Sequence, residues 1–165
     1  MIEKLVKNFN LLSHPEGGFY AETYRSEGEI NKESLPSNME ADSRNYSTGI
    51  FFLLPNGEKS RFHRIKSDEM WHFYLGGAMS VVEIHDDGRV VETVLGQDIE
   101  NDEKLQYVVP ANCWFGSFPH DSTKFSFVGC TVSPGFDFSD FELAEKKYLL
   151  DKFPLAKKYI DKLCD

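Results

Sequence analysis

The sequence predicts an all-β sandwich or barrel with helical ends, and three observations carry that prediction. From Tyr46 to Val132, short runs rich in β-branched and aromatic residues follow one another with no helix-length pattern between them. Turn signals separate the runs at short, regular intervals. Fourteen Phe and seven Tyr among 165 residues suit packing between sheets and the walls of a pocket.

Ile2, Leu5, Val6, Phe9 and Leu12 recur at helical spacing and predict an amphipathic helix over residues 2–12. Ser13-His14-Pro15 ends it, because the residue before a proline avoids the α region. Gly17-Gly18 then opens the strand FYAETYRS, and the barrel is expected over residues 18–133. Residues 26–44 are polar, with Gly28, Pro36, Ser37 and Asn38, and predict a surface excursion long enough to act as a lid or mobile segment. The run YSTGIFFLL stops at Pro55-Asn56-Gly57. The runs SRFHRI, EMWHFYL, MSVVEIH, RVVETVL, LQYVV and KFSFVGCTV follow. His85-Asp86-Asp87-Gly88 has the chemistry of a hairpin turn. Ser139-Asp140-Phe141-Glu142 has the form of a capping box and predicts a helix over 140–153; Pro154 starts a second, to about residue 163. No repeat or linker is visible, so one domain over residues 1–165 is expected.

Charge and cysteine content narrow the function classes. Lys and Arg number 18 against 27 Asp and Glu, a net of -9, with no basic stripe. A phosphate backbone would be repelled, so no nucleic-acid partner is expected. Cys113, Cys130 and Cys164 show no CxxC spacing and fit free thiols in a reducing compartment. No segment approaches the ~20 apolar residues of a membrane span, so no membrane partner is expected. The opening MIEKLVKNFNLL lacks the core of a signal peptide, and the protein is expected in the cytoplasm.

The densest polar constellation is SRFHRIKSDEMWHFYLGG, residues 60–77, which carries Arg61, His63, Glu69 and His72 on two strands joined by a tight turn. Side chains alternate between faces. In one register His63 shares its face with Glu69, Arg61, Ile65, Trp71 and Phe73. A one-residue slip puts it with Met70, His72 and Tyr74 instead. Only a β-bulge would bring both Glu69 and His72 beside His63. Polar groups among Trp71, Phe73 and Tyr74 need partners, which favours a pocket over a solvated cross-strand pair. The opening strand adds His14, Glu16 and Arg25, and its alternation puts Tyr20, Glu22 and Tyr24 on one face over the pocket mouth. Trp114, after Cys113, is a further candidate wall. Phe136, Phe138 and Phe141 are expected to cap the barrel end, and His85 and His120 to be solvated.

Residues 60–77 resemble the first motif of the cupin superfamily, G-x5-H-x-H-x3,4-E-x6-G. His63 falls on the second His, Glu69 on the Glu, and Gly76, seven residues after Glu69, on the closing Gly. Residues 108–116, VVPANCWFG, echo the second motif: Pro110 matches, Asn112 replaces a Gly, and Phe115 stands where a His should be. The opening HPEGGFYAETYRS and the closing VSPGFDFSDFEL resemble the uncharacterised type-5 cupin branch. That resemblance covers residues 8 to about 145. It implies a double-stranded β-helix, or jelly roll, with a pocket inside the barrel, often assembled as a homodimer.

The departures from the motif shape the functional expectation. Arg61 stands at the first His position, and a guanidinium cannot ligate a metal. No cofactor is therefore expected; the alternative is a divalent metal held by His63, Glu69 and His72. In the metal-free reading Arg61 anchors a small polar or anionic ligand, His63 or His72 acts as base with Glu69 beside it, and Tyr20, Tyr24 or Tyr74 supplies the acid. That chemistry is similar to the metal-independent sugar-nucleotide epimerases of the superfamily. A metal-dependent isomerase or dioxygenase and a non-catalytic binding module or sensor are the alternatives.

Overall fold

The computed structural model describes residues 1–165. The chain opens with α1 (Ile2–Asn8), which stops short of the predicted Leu12 because Asn10 takes φ +52°, a left-handed conformation that Asn tolerates. It then enters β1 (Leu12–Ser13) and β2 (Phe19–Arg25). The segment expected as a lid is instead an ordered hairpin of β3 (Glu29–Asn31) and β4 (Ser43–Asn45). Arg44 pins it down with two hydrogen bonds to the buried Asp140 carboxylate, at 2.7 and 2.9 Å.

The predicted β text folds as β5 (Thr48–Pro55), β6 (Ser60–Arg64), β7 (Asp68–Gly76), β8 (Met79–Ile84), β9 (Val90–Leu95), β10 (Gln106–Val109), β11 (Trp114–Pro119) and β12 (Phe125–Ser133). The turn at His85–Gly88 joins β8 to β9, with Gly88 at φ +83°. The capping-box residues start no long helix. Asp137, not Ser139, caps a single 3-10 turn at Phe138–Asp140, after which Glu142–Leu143 pair with β6 as β13. The helices come later, as α2 (Lys146–Lys152) and α3 (Lys157–Leu163).

Strands β1-β2-β5-β12-β7-β10 make one sheet and β13-β6-β11-β8-β9 the other, all antiparallel in their ladders. Phe52, Trp71 and Val128 of the first sheet meet Val81, Leu95 and Phe115 of the second in a shared core. The outer face of the second sheet is covered by α2 and α3 through Phe62, Trp114, Leu149 and Ile160. The outer face of the first is covered by α1 through Leu5, Leu53 and Phe127. Each such side chain, fully buried, stabilises the fold by about 1.5–3 kcal/mol. This is the jelly roll that the motifs imply. No helix is long and apolar enough to cross a membrane.

Candidate functional site

The space between the sheets is not filled at one end. A cavity of about 690 Å³ lies there, walled by Tyr20, Phe52, Trp71, Phe136, Phe138 and Phe141. His14, Glu16, His63 and Glu69 project into the same space. A cavity of this size, apolar with a few convergent polar groups, is the usual form of a small-molecule site.

Two local features assemble the polar cluster. Ser60 and His63 are three residues apart, so strict alternation would send them to opposite faces of β6. The register against β11 shifts between His63, opposite Phe115, and Ser60, opposite Ser117. That bulge turns both inward onto Glu16: Ser60 Oγ donates to Glu16 Oε1 at 2.8 Å, and His63 Nε2 lies 3.0 Å from Glu16 Oε2. The second feature is the Gly17-Gly18 pair, at φ +115° and +70°. A Cβ on Gly17 would come within 2.1 Å of the Lys59 carbonyl oxygen, so only glycine lets this turn dock beside β6. Docked there, Glu16 accepts the Arg61 N–H at 2.8 Å through its backbone carbonyl.

Hydrogen bonding fixes the proton count. His63 Nδ1 lies 2.7 Å from the Arg61 carbonyl, which can only accept, so Nδ1 carries a proton. Ser60 occupies Oε1 of Glu16. The Nε2–Oε2 contact of His63 and Glu16, at 3.0 Å, would set two lone pairs against each other unless one of the partners carries a proton. Burial lowers the imidazole pKa of His63, against the pull of Glu69 and the Arg61 carbonyl. Burial raises that of the Glu16 carboxyl, against the pull of His14, Ser60 and Arg61. Both shifts favour the neutral pair, with the proton on Glu16. Burial also pushes the Glu69 carboxyl up to about 7; His63 opposes this and Glu16 adds to it. His14 is lowered by burial, with Glu16 opposing and His63 adding. The site thus holds a carboxyl poised to exchange a proton near neutrality beside a pair that stores one.

The remaining polar contacts point to a ligand. Trp71 is buried and lines the cavity, yet its Nε1–H has no hydrogen-bond partner. The His63 ring lies between Phe115, at a centroid distance of 4.1 Å, and Phe141, at 5.3 Å. Phe115 therefore packs on the imidazole from the position where the motif expects a histidine. At the rim, Arg25 donates to both oxygens of Glu22, at 2.9 and 2.7 Å, and to Asn45 Oδ1 at 2.8 Å.

Several residues singled out from the sequence lie elsewhere. Along β7, Glu69, Trp71 and Phe73 point inward while Met70 and His72 point out, and the only irregularity comes later, at Tyr74. No bulge carries His72 to His63; its Nε2 meets Thr131 Oγ1 at 2.9 Å on the outer face. Tyr74 is exposed on that face against Phe51 and Phe127. Tyr20 and Glu22 line the cavity, but the β2 register shifts after Glu22, turning Tyr24 outward at 57% exposure and Arg25 inward. Past the β6 bulge Arg61, expected as the ligand anchor, is not a wall of the cavity and instead bonds Asp165 Oδ2 at 2.6 Å and the Pro15 carbonyl. Trp114 packs under α2 and α3 with the Arg64 guanidinium 4.4 Å from its ring centre. Phe136, Phe138 and Phe141, expected as a plain cap, are walls of the cavity.

The sequence named His14 and Glu16 but could not join them to His63, since a 44-residue separation hides the contact of Ser60 with Glu16. Cys130 was not singled out. Its thiol stands beside Glu69, and the alternation Val128, Cys130, Val132 was the signal available.

The superfamily's metal requires three or four ligands converging on one point. His63, Glu69 and His72 do not converge. His72 is on the opposite face, and both ring nitrogens of His63 face Arg61 and Glu16. The one group of three ligand-bearing side chains whose atoms lie within 4.8 Å of one another is elsewhere, at Glu83, His85 and Cys113. The cavity residues as arranged do not fit the metal.

Comparison with known proteins agrees with the fold. A family model described as "Cupin superfamily (DUF985)" matches residues 3–144. The uncharacterized protein YML079W of Saccharomyces cerevisiae is 33% identical over 147 residues, 84% of this chain and 73% of that protein. The crystal structure of protein SO0799 from Shewanella oneidensis is 40% identical, with a TM-score of 0.88 over 99% of this chain and 96% of that one. An oxalate decarboxylase from Bacillus subtilis superposes with a TM-score of 0.55 at 15% identity, over 92% of this chain and 36% of that chain, a likeness of fold alone.

Proposed function

The chain belongs to the DUF985 branch of the cupin superfamily, and from that premise we propose that it binds a small polar molecule in the barrel cavity and moves a proton on it without a metal, as a sugar or sugar-nucleotide isomerase or epimerase does. The observation that carries this reading is the buried quartet His14, Glu16, His63 and Glu69 opening into one aromatic-walled cavity. Glu69 is the base, because a carboxyl raised to about 7 is a far stronger base than an ordinary one and still part-ionised at neutral pH. The Glu16–His63 pair supplies the returning proton. The proton leaves a carbon acid of the ligand and comes back to it, so no oxidant is needed. Trp71 Nε1–H offers an unused donor to a ligand oxygen, and the rings of Phe52, Phe138 and Phe141 suit the faces of a sugar or base.

The test is solvent-isotope exchange. Sugars and sugar nucleotides are incubated in D2O with chelator and the protein, and carbon-bound deuterium is read by mass spectrometry. Incorporation by the wild type and loss with Glu69→Gln or His63→Gln is expected. Ligand-induced thermal stabilisation with no deuterium uptake by any compound would instead make the chain a binding module.

We also propose a homodimer. β1 covers β2 only at Phe19 and Tyr20, which leaves the backbone edge at Ala21–Arg25 open to a second chain. Light scattering giving a single-chain mass would refute it. All three cysteines are buried and unpaired, which supports a cytoplasmic location.

A further inference from the structure

We propose that the chain carries a second, separate site: a divalent-metal site of the zinc type, formed by Glu83, His85 and Cys113. Glu83 and His85 are two apart on β8 and its exit, so both turn to the inner face, and Cys113 arrives from the loop before β11. Their ligand atoms all lie within 4.8 Å of one another. His85 Nε2 is 3.0 Å from Glu83 Oε2, and Cys113 Sγ is 3.8 Å from that same oxygen. In a tetrahedral zinc site, bond lengths of 2.0–2.3 Å put ligand atoms about 3.4–3.6 Å apart. The cluster lies within a few tenths of an ångström of that spacing on both measured edges.

Two polar atoms of the cluster, Glu83 Oε1 and His85 Nε2, have no hydrogen-bond partner. Glu83 is 1% exposed, yet its Oε1 has no hydrogen-bond partner. Its contact with His85 is close but misaligned, leaving His85 Nε2 unpartnered as well. A buried carboxylate held only by a weak thiol donor and the neighbouring Tyr107 hydroxyl is costly, and a cation between the three atoms would satisfy carboxylate, imidazole and thiol together. A thiolate, an imidazole and a carboxylate together suit zinc or cobalt(II) rather than magnesium or calcium. On loading, the Cys113 thiol proton leaves to solvent. His85 is the partly exposed member, at 22%, and gives the ion its way in.

The site is distinct from the cavity quartet. His63, Phe115 and Glu83 stand in one row across neighbouring strands, and the Phe115 ring lies between the other two side chains. This row explains why a phenylalanine replaces the motif's histidine without leaving the barrel bare. The only sulfur at the quartet is Cys130, so cysteine substitution tells the two places apart.

The experiment is a cobalt(II) titration of the full chain after chelator treatment, read by thiolate-to-cobalt charge-transfer absorption. One equivalent should give the band. Cys113→Ser should abolish it, Glu83→Gln should weaken binding at least tenfold, and Cys130→Ser should leave it intact. X-ray absorption of the zinc-loaded wild type should find one sulfur at about 2.3 Å among nitrogen and oxygen neighbours. No band in the wild type, a band that survives Cys113→Ser, a band lost with Cys130→Ser, or a zinc shell without sulfur would each overturn the proposal.

Discussion

Replacing Glu69 with Gln should change how stability depends on pH, by an amount that follows from burial. The carboxyl is 8% exposed and its pKa stands at about 7 in the folded chain, against 4.5 ordinarily. The folded state therefore holds this proton more tightly than the unfolded state does. Between pH 4.5 and 7 the folded chain binds more protons, so stability falls as pH rises through that window and is lowest above pH 7. The difference between an ordinary 4.5 and about 7 in the folded chain is worth about 3 kcal/mol. Gln keeps the size and cannot titrate. The stability of Glu69→Gln relative to wild type should accordingly rise by about 3 kcal/mol from pH 4 to pH 8. His14, whose depressed pKa lowers stability as pH falls below 6.5, is common to both proteins and cancels in the difference, whereas His63 loses the pull of Glu69 in the variant, its pKa falls further, and the variant's deficit at low pH grows in the same direction. Urea unfolding at four pH values across that range measures it. A gap that stays constant with pH would mean that Glu69 is solvated, and the proposed base would lose its basis.

Glu16→Ala should cost about 2–4 kcal/mol, because it strands Ser60 Oγ and His63 Nε2 in the core, while Glu16→Gln should cost less than half as much; urea unfolding at pH 7 checks the ordering. Trp71→Phe removes an N–H that bonds nothing within the chain, so stability should move by no more than about 1–2 kcal/mol while a cavity ligand binds about tenfold more weakly by calorimetry. His72→Ala, on the outer face, should change stability by less than about 0.5 kcal/mol and leave deuterium exchange untouched. Trp114→Ala should cost about 3–5 kcal/mol through the contact with α2 and α3, yet leave ligand affinity unchanged in protein that remains folded.

The strand order of elements was legible because period-2 patterning and turn chemistry are local, and His63, Glu69 and Trp71 fell on one face in the register that the sequence left open. What escaped it were the bulges. One extra residue in β6 turns Ser60 inward onto Glu16 and leaves Arg61 bonded to Asp165 away from the cavity walls, and another in β2 exchanges Tyr24 for Arg25. A bulge depends on pairing with a distant strand, and nothing in SRFHR or FYAETYR announces it. The capping box at Ser139 failed for a related reason: Arg44, far away in sequence, takes up Asp140, while Glu142 pairs with β6. Trp114 resembled a pocket wall only because the sequence cannot say which face of β11 meets the helices.

The proton on the Glu16–His63 contact is the centre of the account, and nitrogen-15 NMR of histidine-labelled protein observes it directly. The chain has five histidines, and the His63 signals are assigned by their loss in His63→Gln. At pH 7 the expected spectrum shows a neutral ring protonated on Nδ1, with Nε2 unprotonated beside Glu16 and no titration near 6.5. A ring that exchanges tautomers freely and titrates near 6.5 would contradict the neutral pair, and with it the acid–base role given to the cavity.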